Sequence, residues 1–256
     1  MRRSYVDLNC DMGESFGPFL LGHDELLMPH VTSVNIACGF HAGDPSVMRR
    51  TVALAKAYDV RVGAHPGYPD LAGFGRRLMG LSPDEVYDAV VYQVGALLGV
   101  ARTQQVPVTH VKAHGALYNA AVVDDRLAAA IARAVKDVDP ALCLVGMCGS
   151  KIITAGEEEG LCVAHEVFAD RAYQANRNLV PRSERGAVHM QIERVVEQAL
   201  EMVTLGYVTA ITGERVPIIA DTLCVHGDGR QAVDFVRAIR TALSKESIGV
   251  QPLGGC

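Results

Sequence analysis

The sequence predicts an α/β protein folded as a parallel (β/α) barrel, TIM-like, with about seven strands. Short apolar stretches alternate with helical patterns along the whole chain, and this alternation is typical of parallel sheets built from right-handed crossovers. The strand stretches are rich in Val, Ile and Leu, as in sheets covered on both faces. Polar residues follow six of the seven predicted strands. Because a barrel gathers every strand's carboxyl end around one mouth, whereas an open sheet has one switch point, these strand ends favour the barrel.

The seven predicted strands are Tyr5–Asn9, Thr32–Ala37, Val60–Ala64, Thr109–Lys112, Leu142–Met147, Leu161–Glu166 and Asp221–Val225. The predicted helices are Asp24–Met28, Asp44–Tyr58, one that begins at Ser82, Asp124–Asp137, Ser150–Glu159, His189–Leu205 and Gln231–Leu243. Asp44 is a good N-cap, and Pro45 suits the first helical position, where a missing N–H has no cost. Ser82 and Glu85 have the spacing of a capping box. The segment Val208–Ile219 is expected to form a loop or small hairpin.

Length and composition limit the class of protein. The chain has 256 residues, 49% of them hydrophobic, and a net charge of -5. This length fits one barrel as well as two small domains; because no linker-like segment divides the chain, we expect a single domain over residues 1–256. The negative charge argues against a nucleic-acid surface, and the sequence has neither a membrane-spanning run nor a signal-peptide core. Seven scattered cysteines without CxxC pairs predict free thiols and a cytoplasmic location.

Several histidines and carboxylates directly follow predicted strands. They are His41, His65, His114 and His226, with Asp11 and Glu14 after the first strand. One such histidine would be an ordinary loop residue, but four at equivalent positions of a barrel are expected to converge on one cavity. The remaining histidines, which lie within strands or near helix ends, are interpreted as structural. They are His23, His30, His110, His165 and His189.

Two kinds of chemistry suit these strand ends. Asp11, His41 and His65 are candidates to hold a divalent metal with open positions, although no HxxxH or HExxH spacing is present. The same groups can act as general acid and base, which is the interpretation we favour. A Cys38–His41 nucleophile is a further alternative. Since cysteine is commonly a small buried residue, Cys10, Cys38 and Cys224 are more simply interpreted as barrel-lining side chains.

Basic residues on the mouth-side loops can clamp a carboxylate or phosphate. They are Arg76, Arg77, Lys112, Arg171 and Arg177. The adjacent pair Arg76-Arg77 can equally be a solvated surface pair. The sequence contains no Walker A loop, no GxGxxG after a strand and no GxSxG elbow. Local motifs therefore leave nucleotide binding open.

Taken together, several segments resemble the LamB/YcsF lactam-utilisation family, the group of 5-oxoprolinase A subunits. The segments are Asp7–Glu14, Asn35–Asp44, Gly63–Asp70, Val111–Asn119, Glu166–Tyr173 and Cys224–Asp228. They run from the first strand to the last in the expected order. The one departure is Ala113, where the family pattern has proline, a change expected to affect loop stiffness more than chemistry.

The resemblance implies a distorted barrel similar to polysaccharide-deacetylase barrels. It also implies ATP-dependent hydrolysis of 5-oxo-L-proline to L-glutamate, with ADP and phosphate released, by a complex with partner subunits B and C. ATP is then a co-substrate of that complex, and whether it binds this chain, whether a divalent metal is bound and whether the chain forms a homo-oligomer stay open. The alternatives are a metal-dependent amidase or deacetylase that needs no ATP, and a non-catalytic subunit that binds the lactam.

Carried onto this sequence, the resemblance makes Asp11 and His41 the leading acid–base pair, with His65 and His114 shaping the site. Residues expected to bind substrate or orient these groups are Asn9, Glu14, Asn35, Asp44, Lys112, Asp170, Arg171, Tyr173 and His226.

Overall fold

The computed structural model describes residues 4–225 and 231–254. Its strands, in chain order, are β1 Tyr5–Met12, β2 Ser33–Ala37, β3 Arg61–His65, β4 Val108–Lys112, β5 Cys143–Met147, β6 Val163–Phe168, β7 Tyr207–Thr209, β8 Arg215–Pro217, β9 Thr222–Cys224 and β10 Gly249–Val250. Its helices are α1 Asp24–Leu27, α2 Pro45–Ala57, α3 Pro83–Thr103, α4 Gly115–Val123, α5 Asp125–Val138, α6 Lys151–Glu158, α7 Ile192–Leu200 and α8 Ala232–Lys245. A 3-10 turn at Met28–His30 and a π-helical turn at Glu201–Leu205 extend α1 and α7.

Seven parallel strands close into a barrel, so the predicted fold class is confirmed. Strands β1 to β6 pair in order, β6 pairs with β9, and β9 pairs back with β1. The short strand β10 adds to the outer part of β1 beside Tyr5 and Val6. The segment predicted as a loop or hairpin is the antiparallel pair β7–β8. The strand interiors are buried on both faces, which explains their continuous apolar sequences.

The predicted starts of the helices at Asp44 and Ser82 are also confirmed, whereas the helix predicted from His189 begins at Ile192. The Asp44 carboxylate accepts hydrogen bonds from the backbone N–H groups of Ser46 (2.8 Å) and Val47 (2.9 Å), so it caps α2. Ser82 and Glu85 form the reciprocal capping box of α3. These caps fix where α2 and α3 begin after β2 and β3.

One strand boundary and one helix differ from expectation in a way that affects the site. Strand β1 continues to Met12, because Asp11 and Met12 still pair in register with β2. Asp11 therefore lies within the strand and not after it. Helix α4 was not predicted. Its sequence is almost wholly apolar, with Leu117 and Tyr118 among its buried residues, and a helix without a polar face gives no amphipathic period to detect.

The cysteine prediction is confirmed only in part. Free, buried thiols are present at Cys10, Cys38, Cys143, Cys148 and Cys224. The prediction is wrong for Cys162, which is disulfide-bonded. Among the described residues, no helix combines the length and apolar character that crossing a membrane requires.

Candidate active site

The carboxyl ends of the barrel strands open into a cavity of about 550 Å³. The polar side chains that line it include Asp11, Glu14, His65, Lys112, His114 and Arg171. The loop after β3 contributes Arg76, and α4 contributes Tyr118 and Asn119. Polar groups from β1, β3 and β4 therefore meet in one place, as the barrel prediction required.

Lys112, the last residue of β4, lies between two carboxylates on the floor of the cavity. Its Nζ is 2.7 Å from Glu166 Oε1 and 3.0 Å from Asp11 Oδ1. Burial opposes the charge on Lys112, but the carboxylates outweigh burial and hold the pKa of the ammonium well above its usual value. Glu166 also accepts hydrogen bonds from Asn9 Nδ2 (3.1 Å) and the Tyr118 hydroxyl (2.8 Å). The floor of the cavity is thus a fixed, charged network.

Asp11 is held so that its two oxygens have different partners. Oδ1 accepts hydrogen bonds from Lys112 Nζ and from Asn35 Nδ2 (2.9 Å). Oδ2 lies 3.2 Å from His65 Nε2. A carboxylate oriented in this way beside an imidazole, and open to a cavity, can exchange a proton with a bound molecule.

His65 and His114 approach each other through one ring nitrogen each: His65 Nε2 lies 3.0 Å from His114 Nδ1. His65 Nδ1 lies 2.7 Å from the carbonyl oxygen of Lys112, and His114 Nε2 lies 2.8 Å from that of Phe74. A carbonyl only accepts, so these outer ring nitrogens carry the protons. In the neutral rings, His65 Nε2 and His114 Nδ1 are therefore lone pairs aimed at one point. Burial is the main cause that lowers the pKa of His114 to about 3.

His41 is completely buried and has no hydrogen bond at either ring nitrogen within the described part of the chain. Its ring stacks on that of His114 with the centroids 3.7 Å apart and the planes within 3° of parallel. Burial, reinforced by the neighbouring His114 and His65 rings, lowers the pKa of His41 well below its usual value. A buried polar group without a partner costs about 1–3 kcal/mol. His41 Nε2 lies 3.8 Å from Glu14 Oε1.

Four of these side chains suit a metal ion. One ligand atom from each of Glu14, His41, His65 and His114 lies within 4.8 Å of the other three. Three imidazoles and a carboxylate are the donors that Zn²⁺ and similar ions prefer. Two of the three predicted metal ligands, His41 and His65, belong to this group. Asp11 is outside it, although its Oδ2 approaches His65 Nε2.

The other predicted site residues take different places. Asn9 and Asn35 lie beneath the cavity and orient Glu166 and Asp11. Asp44 is the cap of α2, and its second oxygen accepts a hydrogen bond from Gly17 N–H (2.9 Å). Tyr173 is buried, and its hydroxyl oxygen accepts a hydrogen bond from the backbone N–H of Phe168 (2.8 Å).

The structure also places Asp170 and the predicted arginines. Asp170 is buried just beyond β6. Arg171 lines the cavity while donating hydrogen bonds to the carbonyls of Val180 (2.7 Å) and Ala187 (3.2 Å), and burial lowers its pKa to about 10. Arg77 pairs with Asp70. His226 lies outside the described residues.

Two residues of the network on the cavity floor are not singled out by the sequence. Glu166 and Tyr118 complete the network around Lys112. The available signal for Glu166 is a carboxylate at the end of a predicted strand. Tyr118 lies in helix α4, which the sequence pattern does not predict. The cysteine alternative gains no support, because burial raises the pKa of Cys38 to about 12 and so disfavours its thiolate.

Comparisons with known proteins agree over nearly the whole chain. The model of the LamB/YcsF family matches residues 6–256. A protein of Geobacillus thermodenitrificans, named as the A subunit of 5-oxoprolinase, is 54% identical, covering 97% of this chain and 96% of its own. A Tolumonas auensis protein of the same name is 56% identical, covering 97% and 99%. The crystal structure of a lactam utilization protein from Thermus thermophilus superposes with a TM-score of 0.92 at 47% identity, covering 96% of this chain and 99% of that one.

Proposed function

The chain belongs to the LamB/YcsF family, and we propose that it acts as the A subunit of a 5-oxoprolinase, hydrolysing the lactam 5-oxo-L-proline to L-glutamate. The observation that carries this conclusion is the end-to-end similarity to relatives named as 5-oxoprolinase A subunits, 54–56% identical over 97% of this chain. The reaction adds water across the ring amide: the water oxygen bonds to the carbonyl carbon, the ring C–N bond breaks, and the nitrogen leaves as the amine.

The cavity supports this chemistry. The reaction needs one group to take a proton from water and another to give a proton to the departing nitrogen. Asp11 and the neighbouring His65 provide an adjacent carboxylate and imidazole, and Asn35 and Lys112 keep the carboxylate in place. We propose that Asp11 takes the proton from water and, once protonated, returns it to the departing ring nitrogen. His41 and His114, whose rings pack against that of His65, then fix the position of the His65 ring.

The substrate carboxylate needs a cation at the rim. Arg171 suits this role because it lines the cavity and its side chain is held by backbone carbonyls. Lys112, also predicted as a substrate-binding residue, is better placed to orient Asp11, since Asp11 and Glu166 already occupy its ammonium group. A rigid arginine at the rim and a fixed network on the floor would orient the ring between them.

The proposal includes ATP as co-substrate of a complex with subunits B and C. The relatives are named as one subunit of an enzyme, which supports a multi-subunit assembly. ATP coupling is physically reasonable because an unstrained lactam resists water, and phosphorylation of its amide oxygen makes the carbonyl carbon a better electrophile. The proposal also keeps residues 1–256 as one domain, supported by a core cluster that spans β1 to α8. The cytoplasmic location remains a prediction.

The test is a glutamate-release assay with 5-oxoproline and ATP. Three preparations are compared: this chain alone, subunits B and C together, and all three. We expect glutamate only from the full set, with one ADP formed per glutamate. In that set Asp11→Asn should lower kcat by roughly 10²–10⁴-fold, the usual range for a lost general base. The matched control is Asp139→Asn, which changes a carboxylate at the end of α5. Near-normal turnover in Asp11→Asn would overturn the assignment of Asp11.

The cluster around His41 favours a second candidate, a metal-dependent amidase or deacetylase that works without ATP. It differs in two observable ways: turnover would persist when ATP is omitted, and a chelator would abolish it. A metal held by Glu14, His41, His65 and His114 would supply a Lewis acid beside the cavity. The third candidate, a non-catalytic lactam-binding subunit, predicts binding of 5-oxoproline together with full activity of the complex after Asp11 or His41 is replaced.

A further inference from the structure

We propose that Glu14, His41, His65 and His114 form a binding site for one first-row divalent cation, with Zn²⁺ the best match. The site concerns binding alone, so it stands or falls independently of the reaction that the protein catalyses. The three rings come from the end of β3 and from the loops after β2 and β4, and the carboxylate comes from the loop after β1. All four side chains are buried.

The first argument is the pair of facing lone pairs. His65 and His114 each donate an outer N–H to a backbone carbonyl, which leaves His65 Nε2 and His114 Nδ1 facing each other at 3.0 Å. Two lone pairs at that distance repel unless a cation lies between or beside them. A backbone carbonyl on the outer nitrogen is also the arrangement that fixes the tautomer of metal-bound histidines.

The second argument is independent and comes from His41. This ring is 0% exposed, and neither of its nitrogens has a hydrogen-bond partner in the described part of the chain. A proton shared by His65 and His114 would remove the repulsion between their lone pairs, but it would leave both nitrogens of His41 without a partner. A metal ion satisfies all three rings at once, with the Glu14 carboxylate as its fourth ligand.

The distances are close to those that such an ion needs. Zn–N bonds of about 2.0–2.1 Å in a tetrahedral site place two ligand nitrogens about 3.3 Å apart. His65 Nε2 and His114 Nδ1 are at 3.0 Å, and Glu14 Oε1 is 3.8 Å from both His114 Nδ1 and His41 Nε2. All four ligand atoms lie within 4.8 Å of one another, so the widest pair must close by up to about 1.5 Å to reach bonding positions.

The donor atoms define the class of ion. Three imidazole nitrogens and one carboxylate oxygen suit Zn²⁺, Co²⁺ and similar ions, whereas Mg²⁺ and Ca²⁺ prefer sites made of oxygen. Because Glu14, His65 and His114 also line the cavity, a bound ion would lie at its wall, within reach of a carbonyl oxygen held there.

The experiment measures metal binding without measuring turnover. Protein purified without chelators or a histidine tag is stripped with a chelator, incubated with Zn²⁺ or Co²⁺, desalted and analysed for metal. We expect one equivalent of Zn²⁺ and, with Co²⁺, the visible absorption of a nitrogen-rich four-coordinate site. His65→Gln and His114→Gln should each weaken binding by at least about 100-fold, beyond what loss of an outer-shell partner causes.

The matched control is His165→Gln. Nδ1 of His165 also lacks a hydrogen-bond partner among the described residues, but this residue is outside the cluster, so its replacement should leave the affinity unchanged. Thermal unfolding of the metal-free proteins checks that each variant folds. If His65→Gln or His114→Gln fails to fold, Glu14→Gln, which keeps the shape of the side chain, is used instead and should also lose tight binding. Less than one-tenth of an equivalent in the wild type, or wild-type affinity in the ligand variants, would overturn the proposal.

Discussion

Lys112 Nζ lies 2.7 Å from Glu166 Oε1, and the two side chains are 3% and 0% exposed. The pair joins β4 and β6 inside the barrel, beneath the cavity. Removing one partner of a buried ion pair leaves a charge without compensation, which is far more costly than the net stabilisation that the pair provides. The floor of the cavity therefore depends on both residues being charged.

We expect Glu166→Gln to lower the free energy of unfolding by about 3 kcal/mol, the lower end of the range for a broken buried pair, because Asp11 still compensates Lys112. The amide keeps the shape of the side chain, so the loss reports on the charge. Urea denaturation measures it. In a double-mutant cycle with Lys112→Met, the combined variant should be less destabilised than the sum of the single variants. Strict additivity would mean that the two charges do not interact.

Asp44 illustrates a residue that the family resemblance and the structure explain differently. The resemblance implies a role at the substrate, whereas the carboxylate caps α2 and accepts a hydrogen bond from Gly17 N–H. We expect Asp44→Ala to lower the free energy of unfolding by about 1 kcal/mol, as for other lost N-caps, and Asp44→Asn to change it little. Neither variant should change the KM for 5-oxoproline in the reconstituted complex. A tenfold rise in KM for Asp44→Asn with unchanged stability would show a binding role.

The barrel and the shared cavity could be predicted because both depend on a simple regularity. Strands buried on both faces are continuous apolar runs, and polar residues placed just after them meet at one mouth. The interior of the site could not be predicted in the same way. That Lys112 pairs with Glu166, or that Asp44 turns outward to cap a helix, depends on side-chain directions and distances that a sequence does not specify. The lone pairs between His65 and His114 depend on backbone carbonyl groups, and backbone acceptors have no sequence signature.

The buried ring of His110 is expected to make the free energy of unfolding depend on pH. Burial, with the charge of Lys112 adding to it, lowers the pKa of His110 from 6.5 to about 3. Below pH 6.5 the unfolded chain takes up a proton at this residue while the folded protein does not, so stability is full above 6.5 and falls as the pH falls towards 3. His110→Gln removes that uptake. The slope of unfolding free energy against pH between about 6 and 4, measured by urea denaturation of metal-free protein, should become shallower by up to about 1.4 kcal/mol per pH unit. Equal slopes in the two proteins would contradict the prediction.

Replacing Gly67 tests whether the position of the His41 ring matters for activity. A Cβ at Gly67 would lie 2.7 Å from His41 Nδ1 and 3.3 Å from His114 Cβ. Gly67 itself cannot easily move, because Gln93 bonds both its N–H and its carbonyl at 2.9 Å. Gly67→Ala should therefore displace the His41 ring. We expect a fall in kcat of about 100-fold, the usual effect of a misplacement near 1 Å, and a loss of about 1–3 kcal/mol of stability from overpacking.

The matched control for this prediction is Gly80→Ala. Gly80 lies in the loop before α3, and a Cβ there meets no atom of the described residues within 4 Å, so activity and melting temperature should stay at wild-type values. Turnover is measured in the reconstituted complex and stability by thermal unfolding of the isolated chain. If Gly67→Ala folds and keeps full kcat while Gly80→Ala behaves as expected, His41 can shift without consequence. The position of its ring would then not matter for turnover.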